Sequence, residues 1–440
     1  MDFLQNIGSV LLLLGTMILF HELGHYWAAL LCGVRVEAFS FGFGPRLFGF
    51  RRGETDFRFS LIPFGGYVKM AGEQMGDETT LVDDPRSFLA KPRWQRMIIA
   101  FAGPFMNVVL SLCLLTGLFM FKYPKVEGVD LPFVVGWVLP NSVAEQAGIK
   151  EGDKIVKFDN VSNPTFKEML PLEASAANRP APVVIDRNGQ QIVLTLTPKL
   201  DEKKPAPMVG WLPKHQLLVE SVKSDMDAAR VLRSKDLMLA VDGKPIYAVQ
   251  RLHQILKEGE GKPVELTFSR NGQTMTEKIQ PKLASLEDGS KQYLLGVNLT
   301  PRYVFVQLPF QEAVVQSARE NWNDAGLIYS SLKGIVERRL SAKALTGPIG
   351  IAKQAGDASR EGAAYYIGFM SMVSMNLAIF NLLPIPILDG GLILTLLIEM
   401  LMRRDLSLQI KETVFKLGFV FLMTLVAFVL YNDISKHFAG

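Results

Sequence analysis

One short run has the makings of a hydrolytic metal centre: His21-Glu22-Leu23-Gly24-His25. Histidines four apart share one face of a helix, and two neutral imidazoles placed there supply half of a tetrahedral zinc site. A glutamate between them can take a proton from a metal-activated water. The bare pattern also arises by chance on soluble helices, so its surroundings decide. Here it lies inside an apolar run from about Ile7 to Leu31, and the other three histidines, His215, His253 and His437, lie outside any such run. Polar groups in a lipid-facing helix cost several kcal/mol, roughly 2.5–3.5 kcal/mol for each charged one, unless they face partners or water. That cost favours a metal site over coincidence.

Catalytic zinc needs a third protein ligand and one open position. The candidate is Asp389, in the run Asn381-Leu382-Leu383-Pro384-Ile385-Pro386-Ile387-Leu388-Asp389-Gly390-Gly391. It is the only acid between Glu361 and Glu399. Pro384 and Pro386 must interrupt the helix, and broken backbone at membrane depth survives only where it is buried or lines a cavity. Alone, a proline kink with an interfacial aspartate would suffice. Beside the first run, a metal ligand is the better reading.

These residues need a membrane scaffold. The chain has 440 residues, 49% of them hydrophobic, and a mean hydropathy of +0.20. Its net charge of +4 is small and argues against a dedicated nucleic-acid binder. Cys32 and Cys113 sit in or beside apolar runs without metal-site spacing, and read as buried apolar residues. Four stretches approach the ~20 residues of a spanning helix: Ile7 to Leu31, Met97 to Phe121, a proline-broken one from Ala363 to Met402, and Val414 to Leu430. The first lacks the basic start and small-residue end of a cleaved signal peptide. Lys and Arg crowd the connection between the first two spans, and Arg403, Arg404 and Lys411 precede the fourth, so both connections are expected on the cytoplasmic side. Both termini and the long loop then face the opposite side. His21 is fourteen residues after Ile7, ~21 Å along a helix in a core ~30 Å thick, which sets the site toward the cytoplasmic face.

The long loop contains a repeat. Arg187-Asn188-Gly189-Gln190 recurs as Arg270-Asn271-Gly272-Gln273, Pro198-Lys199-Leu200 as Pro281-Lys282-Leu283, and Asp153 and Asp159 as Asp236 and Asp242, always 83 residues apart. One separation over matched turns and strands predicts a duplicated domain. The first copy, with Pro140 to Ile149 and Gly152-Asp153-Lys154-Ile155, resembles the PDZ pattern, whose members bind extended peptides at a sheet edge. The second is degenerate there, with Asp227-Ala228-Ala229 and Ser234-Lys235-Asp236, which leaves a spacer role open for it. From Pro309 to Leu340 apolar residues recur at helical spacing, as in a helix on the domains or the membrane surface. Between Val36 and Met70, Phe39, Phe41, Phe43 and then Phe57, Phe59, Leu61 alternate with other residues, predicting β-hairpins near the metal, with turns at Gly44-Pro45 and around Arg51 to Glu54.

The paired motifs, His-Glu-x-x-His in the first span and Leu-Asp-Gly in the third, resemble those of the site-2 protease family of intramembrane metalloproteases. The tandem PDZ-like domains narrow the resemblance to its regulator-of-sigma-E protease subtype. Gly42-Phe43-Gly44-Pro45, Gly65 to Met70, Ala102-Gly103-Pro104 and Gly347-Pro348-Ile349-Gly350 also match, so the likeness covers nearly the whole chain. It implies that His21, His25 and Asp389 ligate Zn2+, that Glu22 is the general base, and that Asn381 holds the substrate backbone. It implies a bacterial inner membrane, with the PDZ-like domains periplasmic. The implied substrates are single-span membrane proteins already trimmed outside, such as an anti-sigma factor, and remnant signal peptides, in envelope-stress signalling.

The expected fold is a multi-pass α-helical membrane protein with four transmembrane helices, a membrane-associated β-hairpin region and two tandem α+β PDZ-like domains in the extracytoplasmic loop. The expected segments are 1–33 (first span), 34–96 (cytoplasmic loop with hairpins), 97–122 (second span), 125–213 and 214–305 (PDZ-like domains), 306–360 (amphipathic linker), 363–402 (broken third span) and 412–432 (fourth span). Expected partners are the substrates, membrane lipid and peptide ligands of the PDZ-like domains. A silent scaffold would lack the complete metal-and-base set. A transporter would show paired broken helices in repeated membrane segments, whereas the repeat here is in the loop.

Overall fold

The computed structural model describes residues 2–73, 84–199, 209–285, 291–337 and 346–438. Leu200 and Leu340, which end two of the stretches read above, lie outside them. The chain divides into two compact units, one built from Met1–Tyr123, Gln307–Ile328 and Leu345–Ala439, the other mainly from Pro124–Val306.

The first unit contains α1 (Asp2–Leu31), strands β1 (Val36–Arg52) and β2 (Thr55–Met70), α2 (Arg93–Phe121), the start of α3 (Phe310–Val336), α4 (Pro348–Glu361), α5 (Ala363–Asn381), α6 (Asp389–Met402) and α7 (Leu408–Phe438). Among the described residues four helices are long and apolar enough to cross a membrane: Gln5–Leu31, Arg93–Phe121, Ala363–Asn381 and Gln409–Ser435. The expected third span is two helices, α5 and α6, joined through the proline segment 382–388.

Lipid gives helices no hydrophobic reason to associate, so close packing and internal polar contacts must hold them. Both are present. A Cβ on Gly24 of α1 would lie 2.2 Å from the Ala102 carbonyl of α2, so only glycine permits that crossing. Along α2, Ser111 Oγ bonds to Ser371 Oγ of α5 at 2.8 Å and donates to Asn321 Oδ1 of α3 at 2.7 Å, while Ser374 Oγ donates to Asn107 O at 2.9 Å. At the far end of α6 the buried Glu399 takes Lys411 Nζ at 2.9 Å and Leu406 N at 3.0 Å. Asp433 of α7 accepts from the N–H groups of Gly347, Ile349 and Gly350 at 3.0–3.1 Å, satisfying the bare amides at the start of α4. That explains the Gly-Pro-Ile-Gly run: a Cβ on Gly347 would lie 2.6 Å from Asp433 Oδ2.

The segment 36–70 forms a sheet and not simple hairpins. Ala38, Phe39, Ser40 and Phe41 each lie opposite two residues, one from 56–59 and one from 66–69, so 38–41 is central and 66–70 is an edge. The turn expected at Gly44-Pro45 is a bulge instead. β1 continues through it with a register shift between Phe43 and Arg46, Gly42 and Gly44 taking φ of +91° and +89°. Proline has no N–H for a ladder, and a bulge tolerates that as readily as a turn does. One half of the sheet packs on α1, with Tyr26 5.6 Å from both Phe39 and Phe57. The other half presents Leu47, Phe48, Phe50, Leu61 and Ile62 outward, each half exposed or more.

The second unit is a duplication at the level of elements. Strands Lys154–Phe158, Ala181–Arg187 and Gln190–Leu196 with helix Phe166–Ser175 reappear as Leu237–Val241, Val264–Arg270 and Gln273–Ile279 with helix Val249–Glu258, each shifted by 83 residues. Asn188-Gly189 and Asn271-Gly272 all have positive φ, as a two-residue hairpin turn requires. The recurring aspartates are explained by a clasp. Arg187 holds Asp153 through two bonds of 2.7 Å, and Arg270 holds Asp236 through bonds of 2.8 and 2.6 Å. Both carboxylates are buried, so losing either arginine would leave a buried charge without its partner and destabilise that copy. The Gly-Asp turn that had decayed in the second copy keeps its shape, Lys235 at φ +75° replacing Gly152 at +89°.

The first copy also buries Glu173, whose carboxyl is pushed up to about 7 by desolvation despite bonds from Trp211 and Val209. An unfolded glutamate ionises more readily, so this group favours the folded domain least above pH 7. Its penalty grows to about 3 kcal/mol as pH rises from 4.5 to 7 and is absent below 4.5. We expect Glu173→Gln to flatten the difference in thermal stability of this domain between pH 5 and pH 8; an unchanged difference would show that another group causes it.

Candidate metal centre

The helical spacing of α1 brings His21 and His25 together on one face, with Nε2 atoms 3.2 Å apart. Asp389, the first residue of α6, completes the group: Oδ2 is 3.3 Å from His21 Nε2 and Oδ1 is 3.5 Å from His25 Nε2. Zinc bonds of ~2.0–2.1 Å in a tetrahedron put ligand atoms about 3.4 Å apart. The distance between the imidazole nitrogens is close to that edge length, each imidazole has one Asp389 oxygen at a similar distance, and the three donors lie within 4.8 Å of one another, so the set is of a kind and size that can close on zinc.

Backbone placement delivers Asp389. Leu383 N bonds to Phe380 O as α5 ends, the prolines prevent the helix from resuming, and Leu388 N bonds back to Ile385 O before α6 starts. The two glycines after Asp389 let α6 begin against this loop. A Cβ on Gly390 would lie 2.3 Å from Leu382 O, and one on Gly391 2.2 Å from Ile385 O.

The histidines are oriented from behind. His25 Nδ1 lies 2.8 Å from Ile99 O. A carbonyl only accepts, so Nδ1 carries the hydrogen and Nε2 keeps a lone pair for metal. The fully buried Asn107 lies with its amide 3.3 Å from His21 Nδ1, and its Oδ1 has no other partner among the described residues. With Oδ1 turned to Nδ1–H, that oxygen is satisfied and His21 also offers Nε2. Four residues before Asn107, Gly103 faces the same pair, and a Cβ there would lie 2.3 Å from His25 Nε2.

The group opens onto a cavity of about 220 Å³ lined by Glu22, Glu73 and the strand residues Gly66, Tyr67 and Val68. Glu22 sits within reach of the Val68 amide, and Met70 N donates to Glu73 Oε2 at 3.2 Å. Backbone groups alternate along a strand, so the amides of 66, 68 and 70 point to the cavity side. Asn381 is the last residue of α5 and half-buried; it does not line this cavity, and its side chain makes no hydrogen bond among the described residues. Sequence reading missed Asn107 and Glu73, and singled out Gly103 only within the matching Ala102-Gly103-Pro104 run, without a role. Asn107 had a signal, as the sole amide or charged side chain between Arg96 and Lys122.

A family model described as Peptidase family M50 matches residues 9–425. The regulator of sigma-E protease RseP of Salmonella typhimurium is 30% identical over 99% of this chain and 100% of that protein. RseP of Escherichia coli is 30% identical with the same coverage of both. A relative in Xylella fastidiosa that carries the name of a zinc metalloprotease is 33% identical over 98% of this chain and 99% of its own. Among solved structures, the PDZ domain of an SdrC-like protein from Listeria monocytogenes aligns with 20% of this chain and 92% of that domain, at 23% identity and a TM-score of 0.18.

Removing the support of a ligand lowers metal affinity about 10–100-fold. Asn107→Leu is therefore expected to raise the zinc dissociation constant at least tenfold in competition with a chelator. Gly103→Ala is expected to abolish stoichiometric zinc. Wild-type affinity in both variants would remove these residues from the site.

Proposed function

As the chain belongs to peptidase family M50 and is a zinc metalloprotease, we propose that it cuts the membrane-spanning segments of single-span membrane proteins, with His21, His25 and Asp389 holding the metal. The observation that carries this reading is the convergence of those three donors within 4.8 Å of one another, two on a helix long and apolar enough to cross a membrane and the third at the start of the shorter helix that follows another such helix.

When bound, zinc supplies Lewis acidity to a water molecule and to the scissile carbonyl. Glu22 takes the proton of the attacking water and returns it to the leaving nitrogen, so a C–O bond forms as the C–N bond breaks. The substrate helix must first unwind, since helical amides are bonded within their own segment. Its freed backbone groups need partners in a dry setting, and the outward edge of 66–70 offers them beside the metal once the substrate displaces Glu22 from the Val68 amide and Glu73 from the Met70 amide. Asn381 holds the substrate backbone as it enters. The outward aromatic half of the 36–70 sheet anchors in lipid.

The proposed setting is a bacterial inner membrane, with both termini and the duplicated PDZ-like domains periplasmic and the metal toward the cytoplasmic side. The Salmonella and Escherichia relatives named as regulators of sigma-E support a role in envelope-stress signalling. An anti-sigma factor trimmed on the periplasmic side fits as substrate, and so do remnant signal peptides. The PDZ-like pair screens bulky substrates and takes no part in cutting.

On a single-span reporter in membranes, Glu22→Gln is expected to lower turnover by at least a thousandfold with zinc content unchanged. Residual cutting within tenfold of wild type would end Glu22's role as base. Val68→Pro, which removes one outward N–H, is expected to lower turnover at least tenfold with zinc and expression intact. Normal turnover in that variant would rule out strand addition.

A further inference from the structure

The last strand of the first repeated copy, Trp211–Pro213, pairs with Val135–Val138. Leu139 N donates to Gly210 O and Lys214 N donates to Val134 O. Backbone direction alternates, so 210, 212 and 214 face that partner while 211 and 213 face away from it; at the head of the strand Val209 O accepts from Ala144 N. A strand edge of this kind is where an extended peptide adds to a PDZ-like sheet, and backbone amides at its head receive the peptide's terminal carboxylate.

Here the amide at the head of the edge is already taken. Val209 N donates to Glu173 Oε2 at 3.2 Å, and Trp211 Nε1 donates to Glu173 Oε1 at 2.6 Å. Glu173 comes from the helix Phe166–Ser175, one turn after the buried Met169, so it points inward from the flanking helix. Trp211 is only 5% exposed, which shows how closely helix and strand are drawn together. Among the described residues no cation pairs with Glu173, although an ordinary buried carboxylate is expected to have one.

The second copy is an internal reference. The shift of 83 residues puts Leu256 in the position of Glu173, and after a three-residue difference in loop length Leu295-Gly296-Val297, 86 residues on, stands where Val209-Gly210-Trp211 stands. Gly296 and Gly210 share positive φ, +71° and +93°, and Gly296 O accepts from Lys223 N as Gly210 O does from Leu139 N. Leu256 packs in one cluster with Leu295 and Leu299 and has no acceptor to offer an amide. The same scaffold thus carries an apolar side chain at this position in one copy and a carboxylate in the other.

We propose that Glu173 is a built-in occupant of the terminal-carboxylate position of the first copy's peptide edge, so that this copy refuses ligands ending in a free carboxylate. The Val209 amide and the Trp211 indole already donate to Glu173, so a terminal carboxylate finds those donors occupied and, wherever Glu173 is ionised, also meets its charge. The ligand class left is an extended segment internal to a chain, which brings no second negative charge to Glu173. Nothing in this inference depends on the zinc chemistry.

The test uses the full chain in detergent micelles, with Glu22→Gln to protect the probe. The probe is an apolar ten-residue peptide bearing a benzophenone, made as free acid and as C-terminal amide, with cross-links to residues 209–213 mapped by mass spectrometry. Glu173→Leu is expected to raise cross-linking of the free acid at least tenfold, with a several-fold smaller gain for the amide. Glu173→Gln, equal in shape and uncharged, is expected to change it in the same direction and covers the case in which the leucine variant fails to fold by circular dichroism. Two results would overturn the proposal: free acid cross-linking better than amide while Glu173 is present, or no acid-specific gain in a folded variant.

Discussion

A polar group inside an apolar helix must find a partner there, because the lipid offers none, and the membrane unit is arranged around that requirement. Two imidazoles and a carboxylate are the most demanding groups in it. Each imidazole is held from behind by a polar atom of α2, the Ile99 carbonyl for His25 and the Asn107 amide for His21. The carboxylate is brought in on a helix start that exists only because two prolines ended the preceding helix. Glycine at 24, 103, 390 and 391 is the steric condition for these approaches, since a single methyl at any of them would meet backbone or imidazole below 2.5 Å.

Outside the apolar unit the problem is reversed. Water is available, and the duplicated domains still bury charge, but with a fixed remedy. The Asp153–Arg187 and Asp236–Arg270 clasps lie at equivalent places and tie a turn to a strand in both copies. Their retention beside a decayed turn sequence shows that the paired charges, and not the glycine, define the element. Glu173 departs from this rule, being buried on two neutral donors.

Much of this was legible in the sequence, for physical reasons that differ by residue. His21, Glu22, His25 and Asp389 stood out because ionisable side chains are rare in apolar runs, and the repeat because Asn-Gly turns and paired charges keep their spacing. The alternation of Phe39, Phe41, Phe57 and Phe59 gave strands, but the double pairing of 38–41 depends on non-local contacts that no local pattern encodes. Gly44-Pro45 reads alike as turn or bulge. The Ile99 carbonyl has no letter in a sequence, and the importance of Gly103 lies in an absent atom. Asn107 was visible as an oddity, yet its partner lay on another helix.

The three donors are far apart in the order of synthesis. His21 and His25 leave the ribosome early, while Asp389 emerges only after nearly the whole chain has been made, tens of seconds later at ~5–20 residues per second. During that interval the residues of α1 and α2 have been made, but the carboxylate that closes the group does not yet exist. On the proposed ligand set, a nascent chain carries two of the three donors. An unfinished copy, stalled or truncated before α6, would then have no complete site among the other polypeptides entering the same membrane.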